Sequence, residues 1–142
     1  MNQRRMRFLL FYAVTAITIA LLMGRSNWLS YYRLNHEGIT AQALVTRTTC
    51  ADHSTFSYRF AVGGQSFDGR GSDGNGNPPC GSLKPGDPVQ VVYLADAPQT
   101  NLPGNPQESL VNETAVIVTA ALVLPLLALV ILFLVVRRRQ KV

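Results

Sequence analysis

The sequence predicts a membrane protein in which two transmembrane α-helices flank a small all-β extracytoplasmic module. Three observations carry that expectation. An uncharged apolar run lies near each end of the chain, arginines stand at the outer end of both runs, and the residues between them alternate apolar with polar. The module is expected to be antiparallel, with four or more strands curled into a barrel or a small sandwich.

The second run is the clearer one. Thr114–Val136 is 23 residues without a charge and stops at Arg137-Arg138-Arg139. At about 1.5 Å per residue it spans about 34 Å as a helix, enough to cross a hydrocarbon core of about 30 Å. Pro125 falls mid-run and is expected to bend it. The first run, Phe8–Met23, has 16 uncharged residues and is short for a span. Extension through Trp28 and Leu29 gives a helix over 8–29, with Arg25 snorkelling and Trp28, Tyr31 and Tyr32 as an aromatic belt. A cleaved signal peptide is the rival reading. Leu22-Met23-Gly24 offers no small-x-small cleavage site, so an uncleaved anchor is expected.

The charge distribution sets the topology. The net charge of +5 is concentrated in the tails: Arg4, Arg5, Arg7, Arg137, Arg138, Arg139 and Lys141 all flank the apolar runs. The six remaining basic residues face all eight acids, a net of −2 between the helices. The basic balance is thus a topology signal and speaks against nucleic-acid binding. Residues 1–7 and 137–142 are expected to be cytoplasmic tails of an inner-membrane protein, with a β module at 30–97 outside and a proline-rich linker at 98–113.

Within the module, Ile39, Ala41, Ala43 and Val45 alternate with polar residues as a first strand. Phe56, Tyr58, Phe60 and Val62 form a second and cleaner one, with the rings as core and Ser57 and Arg59 outward. Gly63-Gly64 permits a tight hairpin turn, so Gln65–Gly69 returns with Phe67 inward. Residues Gly69–Pro79 read as a flexible glycine- and asparagine-rich loop. Pro85-Gly86-Asp87 is a turn, and Val89, Val91 and Tyr93 form a fourth strand. Three prolines in Pro98–Pro106 exclude a central strand there.

These residues resemble a known family. Gly38 leading into Ala43-x-Val45, the run Tyr58-x-Phe60-x-Val62-Gly63-Gly64-x-x-Phe67-x-Gly69, the Pro85-Gly86-Asp87 turn, and Val91-x-Tyr93 followed by Pro98 are similar to the membrane-anchored family called domain of unknown function 3592. The resemblance implies a small β module between membrane helices and no activity. Cys50, Cys80 and the Gly69–Pro79 insertion depart from that pattern.

Candidate chemistry is sparse. Asp52-His53-Ser54 suggests a hydrolase triad, but neighbours on an extended chain point apart. Asp68 and Asp73 among glycines lack the spacing of a calcium loop, and no Cys or His spacing matches a metal site. Asn112-Glu113-Thr114 fits a glycosylation sequon but abuts the membrane. No cofactor is expected. If the strands run alternately up and down in sequence order, Cys50 and Cys80 both reach the distal tip and should be bonded in an oxidising compartment. The bridge would pin two loops into one outward surface, which makes Asp52, His53, Arg70 and Asp73 the candidate partner-binding residues. The expected role is a non-catalytic binding module, an accessory to other envelope proteins or a homo-oligomer, besides its bilayer contact. A thiol-disulfide factor or another envelope enzyme working through Cys50 and Cys80 is the alternative.

Overall fold

The computed structural model describes residues 3–25, 27–51 and 53–139. The elements run α1 (Gln3–Gly24), α2 (Trp28–Glu37), β1 (Ile39–Thr49), β2 (Thr55–Val62), β3 (Gln65–Ser72), a single 3-10 turn (Cys80–Ser82), β4 (Pro88–Leu94), β5 (Ala97–Pro103) and α3 (Pro106–Arg139). One compact unit holds α1 and α3 from Glu113 onward; a second holds residues 29–112.

In the first unit, two stretches are long and apolar enough to cross a membrane, Arg5–Gly24 and Pro106–Val135. The helix expected over 8–29 instead divides. It starts earlier, because the arginines of the tail continue the helix, and it stops at Gly24, a weak helix former next to the charge of Arg25. The chain restarts as α2 at Trp28. In α3, Pro125 has no N–H to offer the Ala121 carbonyl, yet the helix continues through it. One residue on, the Leu122 carbonyl accepts a hydrogen bond from the Tyr12 hydroxyl at 3.0 Å. A side chain of the other helix thus supplies a donor where the proline disturbs the ladder. Trp28, four residues past the end of α1, makes a second bond to α3: its Nε1 donates to Thr114 Oγ1 at 2.9 Å.

The second unit is a five-stranded antiparallel sheet in the order β3-β2-β1-β4-β5. The sequence-order meander is therefore wrong in one respect. The fourth strand crosses over to pair with β1, not with β3. β1 is long enough to serve two partners: Ile39 to Leu44 pair with β4, and Leu44 to Thr49 pair with β2 across a bulge at Val45/Arg47. That bulge bends β1 and curls the sheet. The stretch expected as a linker at 98–113 is also corrected. It holds β5 and the first turns of α3, because an edge strand has one ladder only and tolerates prolines on its free side.

Local chemistry explains each junction. Gly63 (φ 58°) and Gly64 (φ 80°) form the two-residue turn between Val62 and Gln65, a conformation that requires positive φ at both positions. Pro85 and Gly86 (φ 96°) sit at the centre of a turn closed by Asp87 N–H on the Lys84 carbonyl at 3.0 Å. Asn105 caps α3 by accepting the Gln107 N–H at 3.0 Å, with Pro106 in the first helical position and Glu108 two residues further.

The alternation places the core as expected. Ala43, Val45, Phe56, Tyr58, Phe60, Val89, Val91 and Tyr93 are buried together inside the sheet, with Leu83. Phe60 packs between Phe67 and Tyr93, at centroid distances of 5.7 and 5.5 Å. A second, smaller cluster lies on the outside, where Leu34 of α2 covers Val92 and Leu94. Gly38 lets the chain pass there, since a Cβ would strike Val92 and the Leu34 carbonyl. Among the described residues, cross-element ion pairs on the surface include Arg59–Asp68 at 2.7 Å and Arg33–Asp96 at 2.9 Å. The guanidinium hydrogen bonds hold both carboxyls below their ordinary value of 3.8. Their small stabilisation is therefore present above that pH and fades as the pH falls through the depressed values.

The sheet curls until β3 and β5 face each other, without a ladder between them among the described residues. The result is a partly open five-stranded barrel. Tyr58 fills the seam. It is fully buried, and its hydroxyl donates to Asn101 Oδ1 of β5 at 2.7 Å, passing over Gly69 of β3. Burial raises its pKa well above 10.0, which keeps the phenol protonated as a donor. A Cβ on Gly69 would strike both Tyr58 and Asn101, and one on Gly71 would strike Pro103. Gly69→Ala should therefore destabilise the full chain in detergent by about 1–3 kcal/mol. Tyr58→Phe should cost about 1–3 kcal/mol through the orphaned Asn101. Gly81→Ala, with open space around it, should leave the denaturation midpoint unchanged.

Candidate functional site

The tip of the barrel opposite Gly63-Gly64 is built by two loops, residues 50–54 after β1 and residues 73–79 after β3. Thr49 pairs with Thr55 and Thr55 with Ser72, so the loops leave the sheet side by side. Cys50 and Cys80 join them in a disulfide, with Cα atoms 5.5 Å apart and a sequence separation of 30. Cys80 is 1% exposed, whereas Cys50 is open to solvent. The strand directions expected from the sequence thus bring the cysteines together even though the strand order differs.

The other candidate residues divide. Asp52 lies outside the described residues. Asp73 works within the tip: its Oδ1 accepts the Cys80 N–H at 2.6 Å, and its own N–H donates to the Ser54 carbonyl at 3.2 Å. It stitches the loops beside the bridge. His53 is exposed and sits at φ 52°, followed by Ser54 at φ 50°. Two consecutive non-glycine residues in this left-handed region store about 1–3 kcal/mol each, held by the short span between paired Thr49 and Thr55.

Arg70 lies on the outer wall of β3, exposed, with Nη2 3.4 Å from Thr55 Oγ1. The register adds a residue that sequence reasoning missed. Ser57 pairs with Arg70 on one side and with Arg47 on the other. A single cross-strand row therefore reads Arg47–Ser57–Arg70, two cations flanking one small hydroxyl. With strands about 4.8 Å apart, the two arginine Cα atoms lie about 10 Å from one another. In the next row Arg59 is paired with Asp68. The row offers charge-assisted donors to an anionic group. No sequence signal gave it, because cross-strand neighbours depend on register.

The loop at 73–79 is not the flexible segment the sequence suggested. The Asn75 carbonyl accepts the Asn105 N–H at 2.6 Å, and its side-chain oxygen accepts from Asn112 Nδ2 at 2.8 Å. Asn77 Nδ2 spans the seam, donating to the carbonyls of Ser72 and Pro103 at 3.2 Å each. Gly74 (φ 83°) and Gly76 (φ 80°) fold it back, so the glycines shape a clamp. The clamp borders an uncharged groove of about 510 Å3 that also meets Pro88–Gln90 and Gly104–Pro106. The Asn112 of the sequon is engaged here. Among the described residues, no group of three His, Cys, Asp or Glu side chains is placed to hold a metal.

Removing the bridge with Cys50→Ser and Cys80→Ser together should lower stability by about 3–4 kcal/mol, read from denaturant melts of the full chain. Non-reducing peptide mapping should recover Cys50 and Cys80 in one linked fragment; free thiols at both positions would contradict the tip geometry. Comparison with known proteins gives no match, whether among family models, curated proteins or solved structures, so the functional reading rests on the geometry of this chain.

Proposed function

We propose that the protein is an integral inner-membrane protein whose barrel is an extracytoplasmic, non-catalytic binding module for another envelope protein or a second copy. The observation that carries this reading is the arrangement along the chain. A disulfide-bonded barrel lies between two apolar helices, each with arginines at the end away from it. Positive residues are retained in the cytoplasm, and a disulfide persists in an oxidising compartment, so both signals favour the same topology. The sequence likeness to domain of unknown function 3592 fits that architecture, and kinship with the family is part of the proposal.

Binding is favoured over thiol chemistry because the bridge is built into the tip. One of its sulfurs belongs to a buried residue whose N–H is held by Asp73. The partner surface is assigned to the Arg47–Ser57–Arg70 row with the exposed His53 loop beside it, and the group it meets is acidic.

A reporter active only outside the cytosol should be silent when fused after Val142 and active when inserted after Gly74. An active C-terminal fusion would overturn the topology. A photo-crosslinking residue at Ser57 in native membranes should trap a protein adduct. Arg47→Glu with Arg70→Glu should abolish the adduct without moving the melting temperature. A bridge that cycles between thiol and disulfide in cells would point instead to the redox reading.

A further inference from the structure

The start of β4 has a strand on one side only. The ladder between β4 and β5 ends with Val91 opposite Pro103, followed by the Gly104 N–H on the Gln90 carbonyl at 3.1 Å. Gly104 then takes φ 83° and turns the chain away toward Asn105, whose N–H is held by the Asn75 carbonyl. β5 therefore leaves the edge before it has covered Pro88–Gln90.

The alternation of an extended strand decides which groups that edge presents, because each residue turns its N–H and C=O to the same side. The Asp87 carbonyl accepts the Val45 N–H on the β1 side, and Val89 pairs with Ala43 there. Pro88 and Gln90 turn their backbone groups the other way. The Gln90 carbonyl is used by Gly104. The Gln90 N–H and the Pro88 carbonyl face the groove of about 510 Å3 beside the clamp.

The remaining lining is neutral. No charged side chain among the described residues borders the groove, and Pro78, Pro88 and Pro106 have no N–H to offer. Asn77 fixes the far wall, its Nδ2 donating to the Ser72 and Pro103 carbonyls at 3.2 Å each. The groove is thus preformed, and its volume falls in the range of ligand sites, roughly 300–1,000 Å3.

An acceptor and a donor that flank one strand residue match a particular partner. In a parallel bridge, a single residue of the incoming strand donates its N–H to the first and accepts the second at its own C=O. Here the bridge is centred on Val89. A lactam or primary amide carries donor and acceptor on adjacent atoms, too close together to reach both groups. A charged ligand would find no counter-charge in the groove. We infer that this groove is a second binding site, which takes an extended, uncharged peptide segment by pairing one of its residues with the Pro88 carbonyl and the Gln90 N–H. The segment adds to the β4 edge as a short strand, gripped through its main chain. This site shares no residue with the Arg47–Ser57–Arg70 row and rests neither on that row nor on the membrane topology.

The test uses the full chain with its native bridge, 15N-labelled, in nanodiscs of phosphatidylcholine. The probes are acetylated and amidated pentapeptide pools, one of Val, Thr, Ser and Asn, the others with Glu or Lys in place of Asn. The neutral pool at millimolar concentration should move the Gln90 amide proton downfield and slow its exchange with water, leaving the Ser57 amide in place. Neither charged pool should do so. The tightest neutral peptide is then remade with each main-chain amide replaced in turn by an ester. One such ester should weaken binding about tenfold, because the Pro88 carbonyl loses its donor. Gln90→Pro, which removes the other bond, should weaken binding about as much, and the ester scan decides alone if that variant melts early. A Gln90 amide unmoved by the neutral pool overturns the site. Equal binding by the charged pools, an ester scan flat at every position, or a folded Gln90→Pro variant that binds as before would overturn it as well.

Discussion

The barrel depends on one buried hydroxyl. Five strands are too few to close a full set of ladders here, and the β3 and β5 edges are left facing each other. Tyr58 bridges that gap by filling the interior with its ring and reaching across the seam to Asn101. A buried phenol without a partner would cost more than the ring gains, so the bond and the burial stand together. From it follow the glycines of β3, which must let the phenol and Pro103 approach. The edge position of β5 follows as well, and so does Asn77, which bridges the same seam from above.

The helical unit solves a parallel problem. A proline inside α3 disturbs the ladder in an uncharged run, and Tyr12 reaches from α1 to the Leu122 carbonyl. Trp28, four residues past the end of α1, adds a second side-chain bond to α3, from its Nε1 to Thr114 Oγ1.

At the tip, the two loops differ in how their polar groups are used. Residues 73–79 spend their polar groups on the seam and on the start of α3, so the loop is a structural clamp. Residues 50–54 carry strained backbone and an exposed histidine. The wall beside them carries Arg47 and Arg70, held apart by Ser57 at the pitch of the strands.

The sequence by itself determined the apolar helices, the inward faces of β1, β2 and β4, the Gly63-Gly64 and Pro85-Gly86 turns, and the pairing of Cys50 with Cys80. All of these are local or periodic: an uncharged run, a period of two, a required positive φ, an even or odd number of reversals. The tertiary structure alone decided the rest. Nothing local in Pro98–Pro103 marks it as a strand, because its pairing depends on a crossover that sets β4 beside β1. The docking of α2 depends on Leu34 finding Val92 and Leu94, which are 58 and 60 residues away in sequence. Arg47 and Arg70 become neighbours across Ser57 only once the register is set and the bulge after Val45 has shifted it. Asp73 looks like a free surface acid until Cys80 arrives beside it. Contacts of this kind are settled by which edges meet when the sheet curls, and no window of sequence contains that information.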